Sequence, residues 1–161
     1  MTNNNVMRSL RYMLEINNQK IVEICKLGGL TILKKEVHAF MLNEEDPEYL
    51  KCSDEIMAQF LDGLIFFKRG RDESRPPIPI ELPISNNLVL KKLKVAFELK
   101  EEDLLALITG SGFVFGKTEL SSFLRKKEHR NYRPCGDQVL RYFLKGLTLK
   151  LRQAPDPDQV E

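Results

Sequence analysis

Tyr49, Cys52, Asp54, Phe60, Leu61, Gly63 and Leu64 recur as Tyr132, Cys135, Asp137, Phe143, Leu144, Gly146 and Leu147, each displaced by 83 positions. Sliding the chain on itself by that distance aligns residues 3–67 with 86–150 without a gap. Asn3-Asn4 meets Asn86-Asn87, Leu10 meets Leu93, Glu15 meets Glu98, Gly29 meets Gly112 and Phe40 meets Phe123. Between these, apolar meets apolar: Ile16 with Leu99, Ile21 with Leu104, Ile24 with Leu107, Val37 with Leu120 and Met41 with Leu124. The chain is an internal duplication, so whatever it folds into is built twice. One copy of about 65 residues is marginal alone on surface-to-volume grounds, which predicts that the copies share or abut one core.

Each copy reads as four helices. Val6, Leu10, Met13 and Leu14 fall at helical spacing and predict a helix from Val6 to about Glu15, with a counterpart from Leu88 to Glu98. Asn17-Asn18 caps a second helix, and Lys100-Glu101-Glu102-Asp103 opens its equivalent with acids suited to an N-terminus. Gly28-Gly29 and Gly110-Ser111-Gly112 end that pair, and third helices begin near Lys34 and Lys117. The fourth helix opens at Cys52-Ser53-Asp54, with Ser53 as cap. Gly63 inside it costs about 1 kcal/mol against alanine, and its presence in both copies predicts the close approach of another helix.

The expected fold is all-α: two tandem four-helix repeats related by pseudo-two-fold symmetry and joined by a Pro-rich strap. The first repeat spans 1–69, the strap 70–85, the second repeat 86–152 and a flexible tail 153–161. Four prolines between Pro76 and Pro83 predict a stiff, extended strap. The alternation of Ile78, Ile80 and Leu82 predicts that it lies on the surface with those side chains inward.

With 42% hydrophobic and 30% charged residues, the chain has the balance of a folded domain, not of a disordered one. It has no apolar run of membrane-spanning length, and its polar start lacks the apolar stretch of a signal peptide. Three scattered cysteines make no disulfide framework, and the expected compartment is the reducing cytoplasm. Net charge is small but uneven. Residues 1–83 carry 11 basic and 13 acidic side chains, residues 84–161 carry 14 and 10.

Several motifs invite a chemical reading. Cys52 and Cys135, with Asp54 and Asp137, form a duplicated motif of unknown role at a helix start. A thiol there is a nucleophile if its thiolate is stabilised and a small buried hydrophobe otherwise; packing residues conserved around both favour the latter. His38 and His129 occupy non-equivalent positions, so no metal site is expected. The acidic run Asn43-Glu44-Glu45-Asp46-Pro47-Glu48 lacks the alternation of a calcium loop. Phosphate-binding, nucleophile-elbow and zinc-protease signatures are absent, which argues against an enzyme and leaves no cofactor to expect. The second and third helices across a Gly turn have the outline of a helix-turn-helix, but the connector is longer than that motif's turn.

The stronger lead is basic. Arg125, Lys126, Lys127, Arg130, Tyr132 and Arg133 gather cations and a tyrosine before the last helix, and Arg141, Lys145, Lys150 and Arg152 follow on it. Such a patch suits phosphate, with Tyr132 available to stack on a base.

Arg8-Ser-Leu-Arg-Tyr-Met-Leu, Phe60-Leu-Asp-Gly-Leu, Asp72-Glu-Ser-Arg-Pro-Pro, Asn86-Asn-Leu-Val-Leu-Lys-Lys-Leu and His129-Arg-Asn-Tyr-Arg-Pro-Cys-Gly-Asp-Gln strongly resemble the bacterial YehS-like family. The resemblance covers nearly the whole chain apart from the tail after Arg152. It implies a cytoplasmic bacterial protein with a tandem duplicated α-helical domain, and it supplies no catalytic residues to map. The resemblance leaves the function open; from the basic segment, the expected function is that of a non-enzymatic binding protein, contacting nucleic acid or a ribonucleoprotein through the basic second repeat. The alternative is a protein–protein adaptor or small-ligand regulator that uses the groove between the repeats.

Overall fold

The computed structural model describes residues 1–71, 73, 74, 76 and 79–152, and among them are eight helices and no strand. The first repeat holds α1 (Asn3–Leu14), α2 (Asn18–Leu27), α3 (Lys34–Met41) and α4 (Asp54–Arg69). The second holds α5 (Asn86–Ala96), α6 (Glu101–Gly110), α7 (Lys117–Leu124) and α8 (Asp137–Arg152). None of these helices is long and apolar enough to cross a membrane.

Helix starts follow local chemistry. Asn17 Oδ1 accepts from the Lys20 amide at 2.9 Å, Ser53 Oγ from the Ile56 amide at 3.2 Å, and Asp103 reaches back to the Lys100 amide at 2.8 Å. α1 and α5 begin earlier than their apolar periodicity suggests, because Thr2 and Ser85 cap them and place Asn3-Asn4 and Asn86-Asn87 in the first turn. Those asparagines carry no hydrophobic signal, so periodicity alone starts the helices too late.

Within each repeat α2 packs on α4, and α6 on α8. The expected close approach is real. A Cβ at Gly63 would stand 1.9 Å from the Ile24 carbonyl oxygen, and one at Gly146 would stand 2.2 Å from that of Leu107. Ile24 and Leu107 are themselves duplicate positions, so one crossing is made twice.

The repeats join by exchange: α1 lies against α8, and α5 against α4. Each seam is closed at one end by an arginine. Arg152 contacts Glu15 at 3.2 Å and donates to the Tyr12 carbonyl at 2.7 Å; its counterpart Arg69 contacts Glu98 at 3.4 Å and donates to the Val95 carbonyl at 3.4 Å. Glu15 and Glu98 have φ of 54° and 53°, a left-handed helix end that glycine would adopt without strain. At both positions the glutamate carboxylate meets the arginine of the other repeat. Residues of both repeats, among them Met7, Leu10, Phe40, Phe60, Leu90 and Phe143, form one continuous buried cluster.

The strap departs from expectation. Ile80 and Leu82 are 41% and 48% exposed, not turned inward, and Ile78 lies outside the described residues. α4 and α5 pack directly on each other, which leaves no apolar seam for the strap to cover; Ile84, next to α5, is the strap residue packed on the core. The tail expected over 153–161 also lies outside the described residues.

Candidate functional site

The duplicated Cys-x-Asp motif is part of a buried asparagine clamp. Asn4, fully buried, donates to the Phe40 carbonyl at 3.1 Å and the Leu50 carbonyl at 2.9 Å, and accepts from the Cys52 amide at 2.9 Å. Asn87 repeats this with Phe123 at 3.0 Å, Arg133 at 2.8 Å and Cys135 at 2.8 Å. Its neighbours complete the clamp: Asn3 donates to the Cys52 carbonyl and Asp54, and Asn86 to the Cys135 carbonyl and Asp137. One side chain thereby satisfies three backbone groups, two of them in buried surroundings, and it ties the end of the third helix to the start of the fourth.

Asp54 reaches the strap and Asp137 reaches the other repeat. Asp54 Oδ2 accepts from the Ile84 amide at 3.2 Å, and Asp137 Oδ2 from the Met1 ammonium at 2.6 Å. The Met1 ammonium first, then Asn86, hold the Asp137 carboxyl below the usual carboxylate range. Because that carboxylate stands in the first turn of α8, an incoming phosphate at this helix start would meet a fixed negative charge.

Cys52 and Cys135 are buried, and burial pushes both thiols up to about 12, as it does Cys25. A neutral thiol walled in by apolar side chains is a poor nucleophile. The three cysteines are free.

The clamp holds two loops of matching backbone. In the first, Asp46 donates its amide to the Asn43 carbonyl, Tyr49 to Asp46, and Leu50 to Ala39; in the second, His129 donates to Lys126, Tyr132 to His129, and Arg133 to Ser122. Asp46 accepts the Glu48 amide at 2.8 Å where His129 Nδ1 accepts the Asn131 amide at 3.0 Å. The side chains are opposite in sign. Residues 42–50 carry four carboxylates and no cation, whereas 125–133 carry five cations and one carboxylate.

Arg125, Arg130, Tyr132 and Arg133 converge on one cleft of about 350 Å³, walled on the α7 side by Thr118, Glu119 and Ser122. Among the described residues none of these three arginine side chains enters an ion pair, and Arg125 Nε is buried without an acceptor. Among the described residues Glu119 is the one acid in the wall. Lys126 and Lys127 are exposed beside the cleft and do not line it. Arg141, Lys145 and Arg152 lie elsewhere, along the seam between α1 and α8. The basic segment is thus two sites, a division that spacing alone could not reveal because it depends on how α8 turns away from the loop. The connector from α6 to α7 runs over residues 111–116, longer than a helix-turn-helix allows.

Fold and clamp together define a tandem-repeat helical protein in which one structural unit is used twice. The chain belongs to the DUF1456 family: the family model described as "Protein of unknown function (DUF1456)" matches it twice, over residues 3–70 and 86–153. It is 41% identical over 150 residues to "Uncharacterized protein YehS" of Escherichia coli (strain K12), a match that covers 93% of this chain and 96% of that protein. No solved structure matches.

Proposed function

We propose that the protein is a non-enzymatic cytoplasmic binding protein whose second repeat contacts an anionic partner, nucleic acid or a ribonucleoprotein. One observation carries this reading. Two loops of the same backbone differ in charge sign, and the basic one gathers three unpaired arginines and a tyrosine at a single cleft. Arginine suits such contacts, since its fork of donors matches phosphate oxygens and its plane stacks on bases. Tyr132, half-buried at the cleft, offers a face to an unstacked base, which favours single strands or RNA loops over regular duplex.

Fluorescence anisotropy against structured RNA, single-stranded DNA and duplex DNA tests it. If the three arginines each displace a counterion, log K falls against log salt with a slope of about −2 to −3. Arg130→Glu/Arg133→Glu reverses two of those charges and keeps the loop, because Arg133 engages the fold through its backbone. Binding that ignores both salt and this double variant overturns the reading.

A further inference from the structure

The two seams between the repeats are built alike, yet one is sealed by charge and the other is open. In the α4–α5 seam, Lys92 Nζ meets Asp62 Oδ1 at 2.7 Å, with both side chains only 19% exposed. The 83-residue shift replaces Asp62 by Lys145 and Lys92 by Ser9, so the α1–α8 seam has a cation where its twin has an acid and a short hydroxyl where its twin has the cation. Ala58 is likewise replaced by Arg141, and Ile65 by Thr148. The result is a groove of about 520 Å³.

Arg141, Lys145, Thr148 and Arg152 follow one another down the same face of α8, and Ser9 and Tyr12 of α1 form the opposite wall. Nearby carboxylates are already engaged: Glu15 with Arg152, and Asp137 with Asn86 and the Met1 ammonium. Among the described residues Lys145, midway along the groove, enters no ion pair, and neither does Arg141, whose charge reaches the Asp137 carboxylate only at longer range. Arg152 lies 4.1 Å from the centre of the Tyr12 ring and covers one of its faces, while Tyr12 remains 61% exposed. Lys145 with no ion pair among the described residues, Arg141 beside it, a hydroxyl and an aromatic face thus border one cavity whose size is usual for a small ligand.

We propose that the α1–α8 groove binds a nucleoside monophosphate, with Lys145 and Arg141 holding the phosphate and Tyr12 stacking on the base. Lysine supplies a point charge and arginine a bidentate fork, the pair of donors a phosphomonoester needs. In the twin seam the Lys92–Asp62 pair occupies the equivalent place, so the ligand there is excluded by the protein's own charges. The groove is separate from the loop cleft, and it stands or falls independently of it.

The test is isothermal titration calorimetry of the full chain with AMP, GMP, CMP and UMP, with adenosine and inorganic phosphate as partial probes. At least one monophosphate is expected to bind more tightly than phosphate, with adenosine weaker still. Lys145→Asp/Ser9→Lys rebuilds the sealed seam; it is expected to melt no lower than the wild type and to lose at least about tenfold in affinity. Arg130→Glu/Arg133→Glu is expected to leave this binding unchanged, which separates the groove from the cleft. No binding of any of the four monophosphates at millimolar concentration, or equal binding by the rebuilt seam, overturns the proposal.

Discussion

The loop between α3 and α4 and the loop between α7 and α8 share a backbone, a buried asparagine beneath them and a tyrosine in register. They differ in the sign of nearly every exposed charge. What is common to both is what places the backbone; what differs is what a partner would meet. Duplication supplies an internal control: a property of the scaffold should appear in both copies, and a property of function in one. The seams teach the same lesson, with Lys92–Asp62 sealing one and Ser9–Lys145 leaving the other open.

The asparagine clamp gives the largest expected effect. Asn4→Ala and Asn87→Ala each leave one carbonyl and one amide buried without partners and strip a second, part-buried carbonyl, and each is expected to cost about 3 kcal/mol in urea denaturation. Only Asn87→Ala, which unpins the basic loop, should also weaken binding to an anionic polymer. Equal losses of binding in both variants would break the comparison.

Next comes the helix crossing. A Cβ at Gly28 would stand 1.9 Å from the Gln59 carbonyl oxygen, whereas its counterpart Ser111 is accommodated and donates to the Tyr142 carbonyl at 2.8 Å. Gly28→Ser is expected to cost roughly 1–3 kcal/mol by overpacking, and Ser111→Gly about 1 kcal/mol for one hydrogen bond. Thermal melts of the two variants measure how much closer the first repeat's helices approach.

A separate effect is set by pH and involves buried thiols of both repeats. Burial pushes Cys25, Cys52 and Cys135 up to about 12 from an ordinary value of 9.0. Below pH 9 both states hold these protons. As the pH rises from 9.0 toward about 12 the unfolded thiols ionise first, so stability is lost through that window. Denaturant midpoints of the wild type are expected to fall more steeply there than those of a triple Cys→Ala variant. A thiol reagent should leave all three unmodified in the folded protein at neutral pH. The smallest effect is that of Lys126→Glu/Lys127→Glu, which changes long-range charge but no cleft wall; it should weaken polymer binding less than Arg130→Glu/Arg133→Glu does.

Most of the scaffold is legible in the sequence because it is written twice. The register Cys52/Cys135, the caps at Asn17 and Ser53, and Gly63/Gly146 each state a local rule, and local rules survive into the fold. The clamp is not legible in that way. Asn4 and Asn87 stand among polar residues at a helix start, where a capping or solvated role is the ordinary reading; their value comes from carbonyls 36 and 46 residues away. The strap misleads for a related reason. Alternation in Ile78, Ile80 and Leu82 describes a face able to be buried, but burial needs an empty groove, and α4 and α5 have closed it. The basic segment is legible as charge, and its division between cleft and seam emerges only once α8 is placed.

The most direct test of the central claim exchanges the loops. A variant carrying Asn-Glu-Glu-Asp-Pro-Glu at 126–131, with Arg133→Leu and Arg125→Leu, gives the second loop the side chains of the first on a backbone that already matches. Anisotropy against structured RNA and single-stranded DNA at low and near-physiological salt is then compared for the two proteins. Salt-steep binding by the wild type and none by a folded exchange variant is the expected result. Equal binding by both would place the anionic partner elsewhere and contradict it, as would a wild type that binds neither polymer at low salt.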